Sequence, residues 1–111
     1  MKTISLKEDM PLVHEALSQL ERELAIAKQQ RHRFVKLIHG YGSSGAGGEI
    51  RIAVQRRLRA MSDRGDIRGC IFGEDWTKSD EQTWALIKTY PDLKQDRDLG
   101  KRNLGISIVL L

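Results

Sequence analysis

Two stretches of the chain carry hydrophobic residues at three- and four-residue steps, the spacing of one face of an α-helix. The first begins near Asp9 and Pro11, because proline is tolerated in the first turn of a helix, and it runs to about residue 30. The second covers about residues 49–61. The inward-facing positions are Val13, Leu17, Leu20, Leu24 and Ala27 in the first helix, and Ile50, Val54, Leu58 and Met61 in the second.

Four shorter segments have the composition of β-strands. Residues 3–6 alternate polar and apolar positions, and residues 34–38, 67–72 and 105–111 are mostly apolar. Before the last strand, Ser79-Asp80-Glu81 predicts the cap of a short third helix that ends before Pro91. The order β-α-β-α-β-(α)-β predicts an α/β fold with a four-stranded, at least partly parallel sheet, since strands that alternate with helices need crossover connections.

Length and composition narrow the class of protein. The 111 residues predict a single domain, residues 1–111, with 19 Lys and Arg against 15 Asp and Glu and a net charge of +4. A mildly basic protein is attracted to polyanions. Without a run of about 18 apolar residues or a signal-like N-terminus, we expect a cytoplasmic protein with no membrane partner. The single cysteine, Cys70, excludes an internal disulfide and a cysteine zinc site, and its apolar neighbours predict a buried, inert thiol.

Five of the ten glycines lie at residues 40–48, between the second strand and the second helix. Such a turn leaves amide N–H groups accessible beside the positive end of a helix dipole, which suits a phosphate. The dinucleotide fingerprint fits poorly, because the acid expected after Gly40-x-Gly42-x-x-Gly45 is too far along. A P-loop is excluded because no Gly-Lys-Ser/Thr follows. A connection that binds no ligand is the other interpretation of this loop.

Candidate binding residues surround the glycine loop. Its backbone would meet phosphates, its tip carries an aromatic ring suited to base stacking, and nearby basic side chains would neutralise phosphate charge. A solvated helix face is the alternative explanation for the basic residues. The predicted nucleic-acid-binding residues are Gly40, Tyr41, Gly42, Gly47, Gly48, Arg51, Arg56, Lys101 and Arg102.

His39 ends the second strand and is the one catalytic candidate, as a general acid or base. The alternative is a histidine that hydrogen-bonds the loop and holds its shape. No metal site or cofactor is predicted, since His14 and His32 lack ligand spacing with His39. Two further groups of residues each have two interpretations. The acidic cluster could bind Mg²⁺ or form a solvated loop, and its members are Glu74, Asp75, Asp80 and Glu81. Trp76 and Trp84 could stack on bases or pack against the core.

Four segments together resemble the Smr (small MutS-related) domain family. His39-Gly40-Tyr41-Gly42 matches its His-Gly-x-Gly, and Val13 to Leu17 looks like its V-x-E-A-L segment. Residues 67–72 stand where its third strand lies, and residues 104–110 look like its terminal G-x-x-x-V-x-L strand. The resemblance covers nearly the whole chain. It implies a compact βαβαββ two-layer sandwich with a four-stranded mixed sheet.

The same resemblance implies nucleic-acid binding. We expect the target to be RNA or branched DNA and the protein to be a monomer. In some members the resemblance implies endonuclease activity, including cleavage of messenger RNA on stalled ribosomes, so ribosome association follows as an expectation. The chain departs from the family where Leu-Asp-x-His-Gly usually ends the first strand, because residues 4–9 here are Ile-Ser-Leu-Lys-Glu-Asp. Endonuclease activity therefore stays open, and a nucleotide- or small-anion-binding module is the alternative function.

Overall fold

Four strands form one mixed sheet in the computed structural model, which describes residues 1–9, 11–41 and 47–111. β1 pairs in parallel with β2, whereas β4 pairs antiparallel with both β2 and β3, so that the strand order is β1-β2-β4-β3. This arrangement confirms the predicted α/β class and mixed sheet. The strands are β1 (Lys2–Ser5), β2 (Phe34–Ile38), β3 (Gly69–Phe72) and β4 (Ile106–Leu110).

Three α-helices connect these strands within the described residues. The polar groups at two helix starts are satisfied by nearby carboxylates: the Leu12 N–H donates to Glu15 (2.8 Å), and the Thr83 N–H donates to Asp80 (2.9 Å). The second of these confirms the predicted cap of the third helix. The helices are α1 (Val13–Gln29), α2 (Gly47–Asp63) and α3 (Glu81–Thr89), with 3₁₀ turns at Gly73–Asp75 and Pro91–Gln95.

The two long helices pack on one face of the sheet, and the buried residues of both share a core with alternate positions of the strands. α3 and the second 3₁₀ turn pack on the other face with the remaining positions. The alternation is clearest in β4, where Val109 belongs to the first core and Ile106 and Ile108 to the second. None of the helices in the described part of the chain is long and apolar enough to cross a membrane.

The strand directions bring three loops to one end of the sheet. β2 ends there, β3 ends there and β4 begins there, because β4 runs antiparallel to both neighbours. We call this end, where residues 39–41, 73–75 and 103–105 meet, the loop end. The other end, where α1 finishes and β2 begins, is called the opposite end. Most of the predicted binding residues belong to the loop end.

Candidate functional site

The imidazole of His39 is enclosed at the loop end, with only 1% of the residue exposed. Its Nδ1 lies 2.7 Å from the carbonyl oxygen of Gly40, and its Nε2 lies 2.9 Å from Oγ of Ser107 on β4. A carbonyl oxygen accepts and never donates, so Nδ1 carries the proton in this arrangement. In the neutral ring, Nε2 then accepts from the Ser107 hydroxyl, and both nitrogens are occupied within the protein.

Burial favours the neutral form of this ring. Desolvation lowers the pKa of His39 below 6.5, and the charge of Arg51 lowers it further, while the hydrogen bond to Gly40 and the charge of Glu74 raise it. At neutral pH the side chain is therefore an uncharged part of the loop's hydrogen bonding. This geometry matches the interpretation of His39 as a residue that holds the loop, and direct proton transfer at a substrate stays a prediction.

The turn after β2 is fastened to β4 by its backbone. The N–H groups of His39 (2.9 Å) and Gly40 (3.1 Å) both donate to the carbonyl oxygen of Gly105. Gly40 has φ = +77°, a conformation that glycine adopts without strain. A side chain at Gly105 would press against the Tyr41 ring at 3.2 Å, so a glycine here lets that ring sit close to the backbone. The backbone before Tyr41 is thus fixed to β4, and Gly105 leaves room for the Tyr41 ring.

Tyr41, Lys101 and Arg102 lie together in space although they are distant in the sequence. They line one surface pocket of about 380 Å³, with Asp98, Asn103 and Leu104 as its other walls. Tyr41 is 55% exposed, and both basic residues are exposed. The structure therefore brings together an aromatic ring and two cations that the sequence assigned to the same surface.

Arg102 has a backbone conformation that arginine rarely adopts, with φ = +52°. Glycine would be the usual residue for this left-handed conformation. Two residues earlier, Gly100 adopts the same region at φ = +83° without strain, and its N–H donates to the Trp76 carbonyl oxygen (2.8 Å). The chain keeps an arginine where the backbone alone would favour glycine.

A buried lysine anchors the loop that carries these cations. Lys36 lies in the middle of β2, is 6% exposed, and forms ion pairs with Asp96 (2.8 Å) and Asp98. Burial opposes ionisation of Asp98, but hydrogen bonds from Lys36 and Asn103 outweigh it and lower the pKa of this carboxyl. Trp76 donates its Nε1–H to Asp96 (2.9 Å). The negative charge of Asp98 in the pocket wall is therefore already compensated.

The local sequence pattern does not predict this anchor, because residues 34–38 are mostly apolar and the acids that pair with Lys36 lie about 60 residues further along the chain. A signal was present: a lysine within a strand flanked by apolar residues needs a buried acid. The chain offers Asp92, Asp96 and Asp98 in one polar segment. The segment contains the second 3₁₀ turn and is tied down by the buried lysine.

Arg51 is engaged by a partner that the sequence placed in an acidic cluster. Its Nη2 lies 2.6 Å from Oε2 of Glu74, and Gln55 Nε2 contacts the same oxygen at 3.4 Å. Arg51 Nε and Glu74 Oε1 are buried and have no hydrogen-bond partner among the described residues. The guanidinium and the carboxylate therefore each keep one unused hydrogen-bonding atom. The ion pair between them neutralises the charge of Arg51.

The other residues of the predicted site do not all lie in this pocket. Gly42 lies outside the described residues. Gly47 and Gly48 form the first turn of α2, as expected for amides at a helix start, and Arg56 is exposed further along the same helix. No ion pair joins Arg56 to another described residue.

The segment after β1 lies beside the end of β2, since the Leu6 N–H donates to the Ile38 carbonyl oxygen (2.8 Å). Leu6 is buried and Lys7, Glu8 and Asp9 are exposed. Thus the stretch that departs from Leu-Asp-x-His-Gly does reach the loop end. It brings two carboxyl groups there, without a histidine.

The acidic residues, tryptophans and cysteine singled out in the sequence mostly have structural contacts. Glu74 pairs with Arg51, Asp80 caps α3, and no group of three or more His, Cys, Asp or Glu residues suited to a metal ion occurs in residues 1–9, 11–41 and 47–111. Trp76 is fully buried in the second core, whereas Trp84 is 42% exposed on α3. Cys70 is half-buried where full burial was predicted, and burial raises the pKa of its thiol, which disfavours the reactive thiolate.

Comparison with solved structures finds this fold in the crystal structure of the Smr domain of Thermus thermophilus MutS2. The two chains superpose with a TM-score of 0.62 and are 19% identical, over 100% of this chain and 98% of that chain. No family model matches the chain, and no curated protein matches it either. At this level of identity the match establishes the fold, and the resemblance found in the sequence is confirmed at that level.

Proposed function

We propose that this Smr-like domain binds nucleic acid at the loop end of its sheet. The observation that carries the proposal is the shared pocket of Tyr41, Lys101 and Arg102, which puts an exposed aromatic ring beside two exposed cations. Rings stack on bases and cations neutralise phosphates, and nucleic acid supplies both groups within one nucleotide. The net charge of +4 favours the same class of partner.

The pocket favours unpaired nucleotides. A side chain can stack on the face of a base only where the base is not already stacked in a regular duplex. Tyr41 follows a backbone that is fixed to Gly105, and its ring is 55% exposed, so it is accessible to an unpaired base. Single-stranded RNA, or the strand exchange point of branched DNA, is therefore the proposed target.

The first turn of α2 extends this surface. The amides of Gly47 and Gly48 lie at a helix start that follows the His-Gly-x-Gly segment, where a phosphate is favoured by the helix dipole. Arg56 adds an exposed charge on the same helix. Arg51 contributes less than the sequence predicted, because Glu74 already neutralises it.

His39 acts in this proposal as a positioning residue, since its two ring nitrogens bond Gly40 and Ser107. Endonuclease activity would require the ring to leave these partners, or a carboxyl group such as that of Asp9 to activate water. A plasmid-nicking assay on the wild-type protein and on His39→Ala separates a nuclease from a binding module. Nicking that disappears in the variant, while binding persists, would assign catalysis to His39.

Fluorescence anisotropy tests binding directly, with labelled single-stranded RNA, duplex DNA and a four-way DNA junction as probes. The wild-type affinity is expected to fall as salt rises, and Lys101→Ala is expected to reduce the slope of log affinity against log salt by about one unit. Arg22→Ala removes the same charge from the exposed face of α1 and serves as the matched control.

Affinity that does not depend on salt would contradict the proposal, as would equal effects of Lys101→Ala and Arg22→Ala. The alternative function, a nucleotide- or small-anion-binding module, gives a different pattern. Oligonucleotides would then bind no more tightly than mononucleotides.

A further inference from the structure

A second pocket lies at the opposite end of the sheet, where α1 finishes and β2 begins. Its volume is about 550 Å³, larger than that of the loop-end pocket. Of the described residues that line it, five are basic and none is acidic. The basic residues are Lys28, Arg31, His32, Arg33 and Arg68. A concave surface with this lining has a positive potential that water and salt screen less than on a flat surface.

Two of these cations are held in place by uncharged oxygens. Lys28 donates its Nζ–H to the main-chain carbonyl oxygen of Asp66 (2.6 Å), and Arg33 donates its Nη1–H to the hydroxyl of Tyr90 (2.9 Å). The carboxylate of Asp66 is occupied by Arg64 (2.9 Å). Hydrogen bonds of this kind order a cation without cancelling its charge.

Three cations outside this pocket are paired with acidic side chains. Lys36 pairs with two aspartates, Arg51 with Glu74 and Arg57 with Glu21. Those pairs compensate charge within the fold. At the opposite end Lys28 and Arg33 are positioned by hydrogen bonds, and no acidic side chain is among the described residues of the pocket wall, which is the arrangement expected for an anion site.

Arg31 occupies a position that suits glycine. The N–H of Arg31 donates to Lys28 O and the N–H of His32 to Ala27 O, the pair of bonds that closes a helix in a Schellman motif. The residue at this place has φ = +62°, where glycine is the usual choice. An arginine here adds a cation to the pocket lining, at a cost in backbone strain.

One wall of the pocket is apolar. Phe34 and Tyr90 meet edge to face with 4.8 Å between ring centroids, and Leu110 lies beside them. A bare inorganic anion would leave this wall unused. A ligand with a phosphate and an organic part would use both the cations and the wall.

We propose that the pocket at the opposite end binds a nucleotide unit. Its phosphate meets Arg31, Arg33 and Lys28, and its nucleoside part rests against Phe34 and Tyr90. A free mononucleotide and one nucleotide of a longer strand present the same chemistry. The site is separate from the loop end and does not depend on binding there.

Amide NMR spectra of the ¹⁵N-labelled full chain test the proposal, with AMP, adenosine, inorganic phosphate and a single-stranded RNA hexamer as probes at about 0.15 M salt. AMP is expected to shift the amides of residues 31–34, Arg68 and Leu110, and adenosine to shift them less. Shifts with AMP assign a mononucleotide, and shifts with the hexamer alone assign a strand. Shifts at residues 31–34 with inorganic phosphate equal to those with AMP would overturn the nucleoside contact.

Arg31→Gly is the sharpest variant, because it removes a cation and also relieves the left-handed backbone. It is expected to weaken AMP or hexamer binding at this pocket about tenfold, the equivalent of one charged hydrogen bond, without lowering the melting temperature. Arg33→Gln tests the second cation. Arg22→Ala, which removes an exposed arginine of α1 outside the pocket lining, is the matched control.

The proposal fails if none of the probes shifts residues 31–34, or if Arg31→Gly and Arg33→Gln bind as tightly as Arg22→Ala. Its failure is distinguishable from failure at the loop end. Lys101→Ala is expected to leave the AMP-induced shifts of residues 31–34 unchanged, and Arg31→Gly is expected to leave the perturbations of Tyr41 and Arg102 by RNA in place.

Discussion

His39 Nε2 lies 2.9 Å from Oγ of Ser107, a residue 68 positions further along the chain. Ser107 is fully buried on β4, opposite Leu37 of β2 on one side and Phe72 of β3 on the other. The bond therefore joins the turn after β2 to the central strand of the sheet. It gives the His-Gly-x-Gly segment a structural role that holds whether or not the protein cleaves its target.

Removing the serine hydroxyl should weaken the fold. In Ser107→Ala the imidazole stays buried while Nε2 loses its partner, and the free energy of unfolding is expected to fall by about 1–3 kcal/mol. Urea unfolding at pH 7 measures the loss. Ser79→Ala, at a less buried hydroxyl, is the comparison. Equal stability of Ser107→Ala and the wild type would show that this bond contributes nothing.

Stability should depend on pH through His39. Burial lowers the pKa of this residue in the folded protein, so below about pH 6.5 the unfolded chain takes up a proton that the folded protein does not. The free energy of unfolding is expected to be level above about pH 7.5 and to fall as pH drops below about 6.5, by at most about 1.4 kcal/mol per unit. Urea titrations from pH 5 to 8 measure it, and His39→Gln should lack this part of the slope.

Arg102→Gly should separate binding from stability. Glycine adopts φ = +52° without strain, so the free energy of unfolding is expected to stay the same or to rise by up to about 1 kcal/mol. The variant loses one cation of the loop-end pocket, and the salt slope of RNA binding should fall by about one unit. Calorimetry and anisotropy measure the two effects. A stabilised variant that binds RNA as well as the wild type would remove Arg102 from the interface.

Lys36 should be essential for the loop that carries Lys101 and Arg102. Lys36→Met leaves Asp96 and Asp98 without their shared cation, and we expect a loss of about 3–5 kcal/mol of unfolding free energy. Urea unfolding provides the measurement. Adding Asp96→Asn and Asp98→Asn to Lys36→Met should recover part of that stability, because no buried charge is then left unpaired. A triple variant less stable than the single one would contradict this account of the anchor.

Glu74 should restrain Arg51. In Glu74→Gln the guanidinium of Arg51 loses its charged partner, so RNA affinity is expected to rise about two- to fivefold at low salt, with a steeper salt slope. Anisotropy measures both quantities. The double variant Glu74→Gln, Arg51→Ala should abolish the gain. A weaker affinity in Glu74→Gln would mean that the carboxylate itself takes part in the site.

Local patterns were sufficient to predict most of the fold. The helical steps of Leu20, Leu24, Val54 and Leu58 form the core against the sheet, and the Asp80 cap forms as its sequence indicates. These features depend on neighbours in the sequence. The order β1-β2-β4-β3 depends instead on how distant strands share a core, and it was expected only as a mixed sheet.

The candidate site was predicted less completely. The association of Tyr41 with Lys101 and Arg102 was expected, and they do share a pocket. The pairing of Arg51 with Glu74 was not expected, because Arg51 lies on α2 and Glu74 on a 3₁₀ turn that is distant in the sequence. The basic turn at residues 31–33 was visible in the sequence, but its concave surroundings come from α3 and β4.

The position of β4 between β2 and β3 affects how the domain folds during synthesis. β2 and β3 are joined only through β4, which is the last of the four strands to leave a ribosome. Until about residue 110 has emerged, the edges of β2 and β3 that face β4 stay unpaired. β2 and β3 therefore cannot join one sheet before β4 has been synthesised.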